Sequence, residues 1–457
     1  MKKIAVVTAT RAEYGLLAPV VRELRKYEDA DSNSNFDFIN STTLKVDLIV
    51  TGTHLSEAYG MTIDEIQERI DKKIVISVKS ENSLDISKNQ AETLVKFTEL
   101  FQTEQYNAVL LLGDRYETLA IAIAAGNTRT PIFHLCGGDT TEGAMDEWIR
   151  HSITKMAYLH FVTNEESRKR VIQLGEAPKR VFNYGSTSID NILANDDMDW
   201  REALDSLGLG KIRHKKERTH SKVECKTEDG YSKNGHEYEM ENTYFCECGH
   251  AKNSIEKNCD ELAEDQEDMC EHRYALCTYH PVTMENGTVD EQIEQFLEAI
   301  KAFPEIEFIV TKSNADQGGA RINELLDMAE TKIQNLHVFT SLGTKRYLAL
   351  MRHAEFVLGN SSSGIVETPA FHIPTVNIGD RQKGRLQSES TVNCGTDAAD
   401  IIAAIKVALS EEHRALCKTV VSPYGDGHAA VRIAKKTVET VMNGEIDLKK
   451  KFYDLSF

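Results

Sequence analysis

Short, wholly apolar runs set between amphipathic stretches constrain this chain more than any other feature. Lys3–Thr8 (KIAVVT) and Ala108–Leu112 (AVLLL) are strand-sized and have no polar face, the pattern of strands covered on both sides in a parallel sheet. After the first come a loop, Ala9–Gly15, and an amphipathic helix from Leu16 to about Tyr27. This reads as the opening βα unit of a doubly wound sheet, whose ligands lie at the carboxyl ends of the strands. Lys45–Val50, Pro131–Leu135, His160–Thr163 and Arg180–Asn183 continue the strands, with helices expected at Ile63–Ile70, Asp85–Phe101, Thr118–Ala125 and Ala144–Tyr158. The style returns from Tyr274, with strands at Tyr274–Tyr279, Ile306–Thr311, His337–Thr340, Phe356–Leu358 and Ile373–Ile378. The expectation is an α/β protein of two Rossmann-like domains facing across a cleft, over residues 1–185 and 186–424. A last helix and tail, residues 425–457, are expected to pack back on the first domain.

A net charge of −19 and a pI near 5.3 exclude the basic face that nucleic-acid binding requires. The longest apolar runs are strand-sized, so neither a membrane-spanning helix nor a secretory signal is expected, and the reading is cytoplasmic.

The stretch Phe356–Arg385 (FVLGNSSSGIVETPAFHIPTVNIGDRQKGR) concentrates the chemistry. A Gly- and Ser-rich turn between a strand and a short helix, Ile365–Phe371, gathers backbone N–H groups and the hydroxyls of Ser361, Ser362 and Ser363, which suits a phosphate. An ordinary capped helix is the competing reading. Glu367 would repel a phosphate and so faces a ribose, whose hydroxyls donate to a carboxylate. Arg381, Lys383 and Arg385 add positive charge at the same mouth. The first half delivers its own groups at strand ends: Arg11 and Glu13, then Thr51 to His54, then Gly113, Asp114, Arg115 and Glu117, then Cys136 to Thr141. Two such halves set His280, Asn314 and Ser361 opposite Arg11, Asp114 and Asp139, a two-lobed site for an elongated anionic ligand. Asp146 and Arg150, four residues apart on a helix, would pair across one turn for about 0.3–0.5 kcal/mol.

Lys211–Glu271 breaks the pattern. It opens basic, closes acidic and has few apolar residues, so it cannot bury much core and reads as an insertion. Cys246, Cys248, Cys259 and Cys270 are its zinc candidates, but a one-residue gap between Cys246 and Cys248 strains a chelate, and the alternative is a reduced loop. The segment also holds Cys225; outside it, Cys136, Cys277, Cys394 and Cys417 are scattered in apolar surroundings.

Several long motifs in order resemble the hydrolysing UDP-N-acetylglucosamine 2-epimerases of bacterial sialic-acid biosynthesis. They are TATRAEYG at Thr8, TGTHLSEAYG at Thr51, LLGDRYE at Leu111, HLCGGDTTEGAMDEWIRHSITKMAYLH at His134, TYHPVT at Thr278, and GNSSSGIVETPAF with NIGDRQKGR from Gly359. The resemblance implies a fold of the glycosyltransferase-B type, no cofactor and no required metal, and a homo-oligomer, dimer or tetramer. It implies that Ser361, Ser362, Glu367, Asn314, His280 and Arg381 hold UDP, with Arg11 and Arg115 reaching across. Asp114, Asp139 and Asp146 become the proton-transfer carboxylates, helped by His280 on the leaving diphosphate. His54, Glu117 and His134 become sugar contacts, with a structural role open for His134. Some relatives carry Glu where Cys136 stands; a thiol at its ordinary pKa is no substitute for a carboxylate base, which throws weight on Asp139. The same chemistry on UDP- or GDP-N,N′-diacetylbacillosamine is the alternative, and a non-catalytic nucleotide-sugar-binding regulator a more distant one.

Overall fold

Two all-parallel sheets with the same winding order are laid down one after the other along the chain. The computed structural model describes residues 1–28, 43–79, 82–142, 144–194, 198–210, 273–282, 287–313, 318–444 and 446–455. The first sheet is β1 (Lys2–Thr8), β2 (Leu44–Thr51), β3 (Lys72–Ile74), β4 (Ala108–Leu112), β5 (Ile132–Leu135), β6 (Leu159–Val162) and β7 (Val181–Asn183), in the order β3-β2-β1-β4-β5-β6-β7. The second is β8 (Tyr274–Thr278), β9 (Glu307–Thr311), β10 (Leu336–Phe339), β11 (Val357–Gly359), β12 (Thr375–Ile378) and β13 (Thr391–Cys394), in the order β10-β9-β8-β11-β12-β13. The order reverses direction between β1 and β4 and again between β8 and β11, and such reversal points open a crevice at the strands' carboxyl ends. The apolar strands have helices on both faces: Ile4, Val6, Leu110 and Phe133 pack into one layer of core, Ala5, Val7, Val109 and Leu111 into the other. The helix Ala429–Asn443 inserts Ala430, Ile433, Ala434, Val438 and Val441 into the first of these layers.

Three local expectations give way. The first helix starts at Arg11 rather than Leu16, because Thr10 and Glu13 form a reciprocal capping box at its N-terminus, which turns the expected loop into helix. Ile63–Ile70 is not a helix. A 3₁₀ turn covers Thr62–Glu65, after which Arg22 holds Glu68 at 2.6 Å, Tyr14 donates to Glu68, and the Tyr14 oxygen accepts from the Gln67 backbone N–H at 2.8 Å; these ties draw the chain out toward β3. The helix expected at Ile365–Phe371 is two short pieces, Ser363–Val366 and Thr368–Phe371, separated at Glu367, with Pro369 in the second piece unable to donate a backbone hydrogen bond. Cys246, Cys248, Cys259, Cys270 and Asn314 lie outside the described residues, as does the expected insertion.

β11 ends on Gly359, whose φ of +136° and whose approach to β8 both demand the absence of a side chain: a Cβ would sit 2.0 Å from the Thr278 carbonyl oxygen. That close approach brings the ends of β8 and β11 together.

Candidate active site

Beyond the carboxyl ends of β4 and β5 several carboxylates gather round one buried cation. Arg150 is almost wholly enclosed, its side chain 1% exposed. Its Nη2 donates to Asp114 Oδ2 and, at 3.0 Å, to Thr141 Oγ1; its Nη1 donates to the Asp139 carbonyl at 2.8 Å and to Glu147 Oε2 at 3.2 Å. Burial opposes its charge, but Asp114, Asp139 and Asp146 more than offset this and raise its pKa above the usual arginine range. Asp146, one helix turn away, acts on Arg150 through its charge, as expected, and the guanidinium also reaches over to the neighbouring strand ends. Asp114 keeps part of its side chain accessible, 23%, and Asp146 opens the helix Asp146–Met156 half-buried beside it.

Asp139 is held differently. Its Oδ1 accepts from the Thr163 hydroxyl at 2.8 Å and the Ser167 hydroxyl at 2.6 Å, while its Oδ2 lies 3.6 Å from Arg385 of the second half. Cys136, between β5 and Asp139, has a left-handed backbone with φ +62°. Burial, with the Asp139 and Asp114 charges, pushes its thiol up to about 12, so it is protonated at neutral pH and no base.

Arg115 donates from Nε to Glu117 Oε1 at 2.7 Å, and Glu117 Oε2 is buried without a partner among the described residues. Glu13 had been expected to face the ligand; instead it accepts from the Ala9 and Thr10 backbone N–H groups at 2.7 and 3.2 Å. Its pKa is raised by burial and then by neighbouring Glu117. His54 and His134 are both fully buried. His54 is hydrogen-bonded to Thr8 at 3.1 Å and Thr62 at 2.9 Å, His134 to the Gly113 carbonyl at 2.8 Å and Thr154 at 3.2 Å. Burial lowers each imidazole to about 4, so both rings are neutral struts in the form described.

The second half supplies a polar cradle, and its hub is a residue that the sequence did not single out. Asn360 is fully buried, accepts from the His280 backbone N–H at 2.7 Å and donates to the His280 carbonyl at 2.8 Å. Its own carbonyl accepts from Arg381 Nη1 at 3.1 Å and Gln382 Nε2 at 2.9 Å. The side chain of this residue thereby fixes the backbone at His280, and its backbone carbonyl holds Arg381. The His280 ring is hydrogen-bonded through Nδ1 to Ser313 at 3.1 Å. Ser361 and Ser362 stand partly exposed ahead of the helix Ser363–Val366. Glu367 accepts from the Ser363 hydroxyl at 2.5 Å, and burial pushes its carboxyl up to about 7, offset in part by that hydrogen bond.

The halves meet edge to edge. Arg11 Nη1 donates to the Thr340 carbonyl at 3.0 Å, the Glu142 backbone N–H to the Lys383 carbonyl at 3.3 Å, and Gly384 lies against Thr140. Arg11 and Asp139 of the first half thus reach residues of the second, while His280, Ser361, Ser362, Glu367 and Arg381 stand at or beyond the strand ends of the second half. Among the described residues no helix is long and apolar enough to cross a membrane.

The sequence profile of the UDP-N-acetylglucosamine 2-epimerases matches residues 38–220 and 242–437. The GDP/UDP-N,N′-diacetylbacillosamine 2-epimerase (hydrolyzing) of Campylobacter jejuni is 32% identical over 99% of this chain and 99% of its own. Polysialic acid biosynthesis protein P7 of Escherichia coli is 31% identical over 100% and 98%. The fold is shared with the crystal structure of the Neisseria meningitidis UDP-GlcNAc 2-epimerase bound to UDP-GlcNAc, at a TM-score of 0.66 and 18% identity over 96% of this chain and 100% of that one. The matched residues take in every strand of both sheets except β1, and the chain belongs to the UDP-N-acetylglucosamine 2-epimerase family.

Proposed function

We propose that the protein hydrolyses UDP-N-acetylglucosamine with inversion at C2, giving UDP and N-acetylmannosamine for sialic-acid biosynthesis. The observation that supports this reading is the gathering of Asp114, Asp139 and Asp146 about Arg150, with Asp139 facing Arg385 of the half that holds the Asn360-braced cradle. A sugar C2–H is a weak acid, so its removal is coupled to departure of UDP from C1. Arg115 and His280 stabilise the charge that develops on the leaving diphosphate. The product of that step is a glycal; water then adds to C1 and a proton to C2 from the opposite face. Two faces require two proton-transfer groups. Asp114 and Asp146 take these roles, while Asp139, held by Thr163, Ser167 and Arg385, assists the proton transfer that releases UDP or positions water. Ser361, Ser362, Asn314 and Arg381 hold the diphosphate and base, and Glu367 accepts from the ribose hydroxyls. Glu117, whose Oε2 is unengaged, takes a sugar hydroxyl, with His54 and His134 behind it. The chain works in the cytoplasm as a homo-oligomer, without cofactor or metal.

A second substrate has a specific observation in its favour: the 32% identical relative is named for diacetylbacillosamine nucleotides. The two are separated by incubating the purified chain with UDP-N-acetylglucosamine and with UDP-N,N′-diacetylbacillosamine and measuring UDP release and the freed sugar. Faster release from UDP-N-acetylglucosamine, with N-acetylmannosamine as product, is expected; release from the diacetylated nucleotide alone assigns the second substrate. Release of UDP from neither contradicts the reaction itself.

A further inference from the structure

The carboxyl ends of β12 and β13 open onto a crevice of about 880 Å³ that the proposed reaction leaves unused. Its floor is a ladder of amides. Asn377 Nδ2 donates to Asn393 Oδ1 at 2.8 Å, and Asn393 Nδ2 donates to Gln387 Oε1 at 2.7 Å. Opposite stands the helix Val289–Lys301, whose Gln295 accepts through Oε1 from the Ala398 backbone N–H at 2.9 Å. Among the described residues those bonds leave the Nε2 groups of Gln295 and Gln387 uncommitted, two planar donors at the crevice wall.

The charge of the lining selects among ligands. Glu291, Asp380 and Asp397 face the single ammonium of Lys383, because the Arg385 guanidinium is directed at Asp139. An anion, such as a second nucleotide or a sugar acid, meets more negative than positive charge there. An apolar ligand would cover the amides without satisfying them. A neutral sugar with hydroxyls and an acetamido group alternates donors and acceptors as the amides do, and the volume is that of a small-molecule site.

The wall between this crevice and the nucleotide cradle is the turn that carries Arg381 and Arg385. From the cradle side Arg381 and Gln382 hold the Asn360 carbonyl, and from the first half Glu142 holds the Lys383 carbonyl. The crevice touches the same turn from behind, at Lys383, Gly384, Arg385 and Gln387. A ligand bearing on that turn bears on the hold of Arg385 on Asp139.

We propose that this crevice is a second binding site, for a neutral acetamido sugar, and that its occupant changes turnover through the turn Gly379–Gln387. Binding stands without the proposed reaction; the effect on turnover rests on it, and the two are read separately. The experiment is saturation-transfer NMR on the full chain with N-acetylmannosamine and N-acetylglucosamine, in saturating UDP, with N-acetylneuraminic acid as the anionic probe. Transfer to the acetyl methyl groups of both neutral sugars and none to the acid is expected, with the signal falling at least fivefold in Asn393→Ala and in Gln295→Ala while UDP affinity is unchanged. Absence of transfer in the unaltered protein, equal transfer to the acid, or full transfer in both variants overturns the site. In the second reading, UDP release with added neutral sugar is expected to change at least twofold in the unaltered chain and not in Asn393→Ala. An unchanged rate in the unaltered chain overturns the coupling.

Discussion

One guanidinium sets the geometry on which the proposed chemistry depends. Arg150 contacts two neighbouring strand ends and its own helix at once, through bidentate geometry that a lysine ammonium cannot reproduce. Arg150→Lys is therefore expected to lower kcat about a hundredfold, the scale on which an ångström of misplacement acts, with UDP affinity within about twofold; kcat and UDP titration measure both, and near-normal kcat would contradict the positioning role. Asp139→Asn is expected to abolish UDP release, since the amide gives Arg385 no charge to face, and normal turnover in a UDP-release assay would remove Asp139 from the reaction. Glu367 gives a pH signature. Its carboxyl is raised to about 7 in the free protein, and ribose hydroxyls bind the ionised form, so below pH 7 a proton must leave when UDP binds. UDP affinity should fall about tenfold per unit below pH 7 relative to Glu367→Gln, and level off above it; parallel profiles for the two proteins would exclude Glu367 from the ribose site. Asp114 and Asp139 were legible as candidates because each stands near the end of an apolar run, and Asp146 because it lies on the polar face of an expected helix. Arg150 and Asn360 were not, because helical spacing tells which residues share a turn and nothing about a side chain that crosses to another element.

The elements best foreseen were the buried strands, whose apolar runs have one interpretation, and the least well foreseen were segments governed by partners elsewhere. Ala108–Leu112 is a strand to the residue. Ile63–Ile70 has a helical pattern yet is drawn extended by Tyr14 and Arg22, a tertiary override that local propensity cannot anticipate. The Thr10–Glu13 capping box was present in the sequence as a T-x-x-E signature and was passed over in favour of the ligand reading. The C-terminal tail shows the same dependence on distant residues. Lys450 lies 2.8 Å from both oxygens of Glu176, which is buried beside His160 and Lys155, and Phe452 covers Gly175 under the Lys155 ammonium. Lys450→Ala leaves the Glu176 carboxylate with fewer donors in a buried place, and a loss of about 1–3 kcal/mol is expected, read as a lower midpoint in chemical denaturation. An unchanged midpoint would show that Lys155 and His160 suffice.

At the scale of the molecule, two sheets of the same winding order turn their reversal points toward one another, and contacts such as Arg11–Thr340 and Asp139–Arg385 join the halves at that line. Repeated apolar strands followed by amphipathic helices made this architecture readable, whereas the ladder of amides beyond β12 involves residues scattered from Gln295 to Asn393 and leaves no local signature. The family follows from the matched sequence; the proposed reaction rests on chemistry at the line where the halves meet. The measurement that tests it most directly is proton NMR of the reaction run in deuterated water. The account predicts free N-acetylmannosamine bearing deuterium at C2, with UDP released in equal amount. A freed sugar retaining its original C2 proton, or UDP release with the configuration at C2 unchanged, would contradict it.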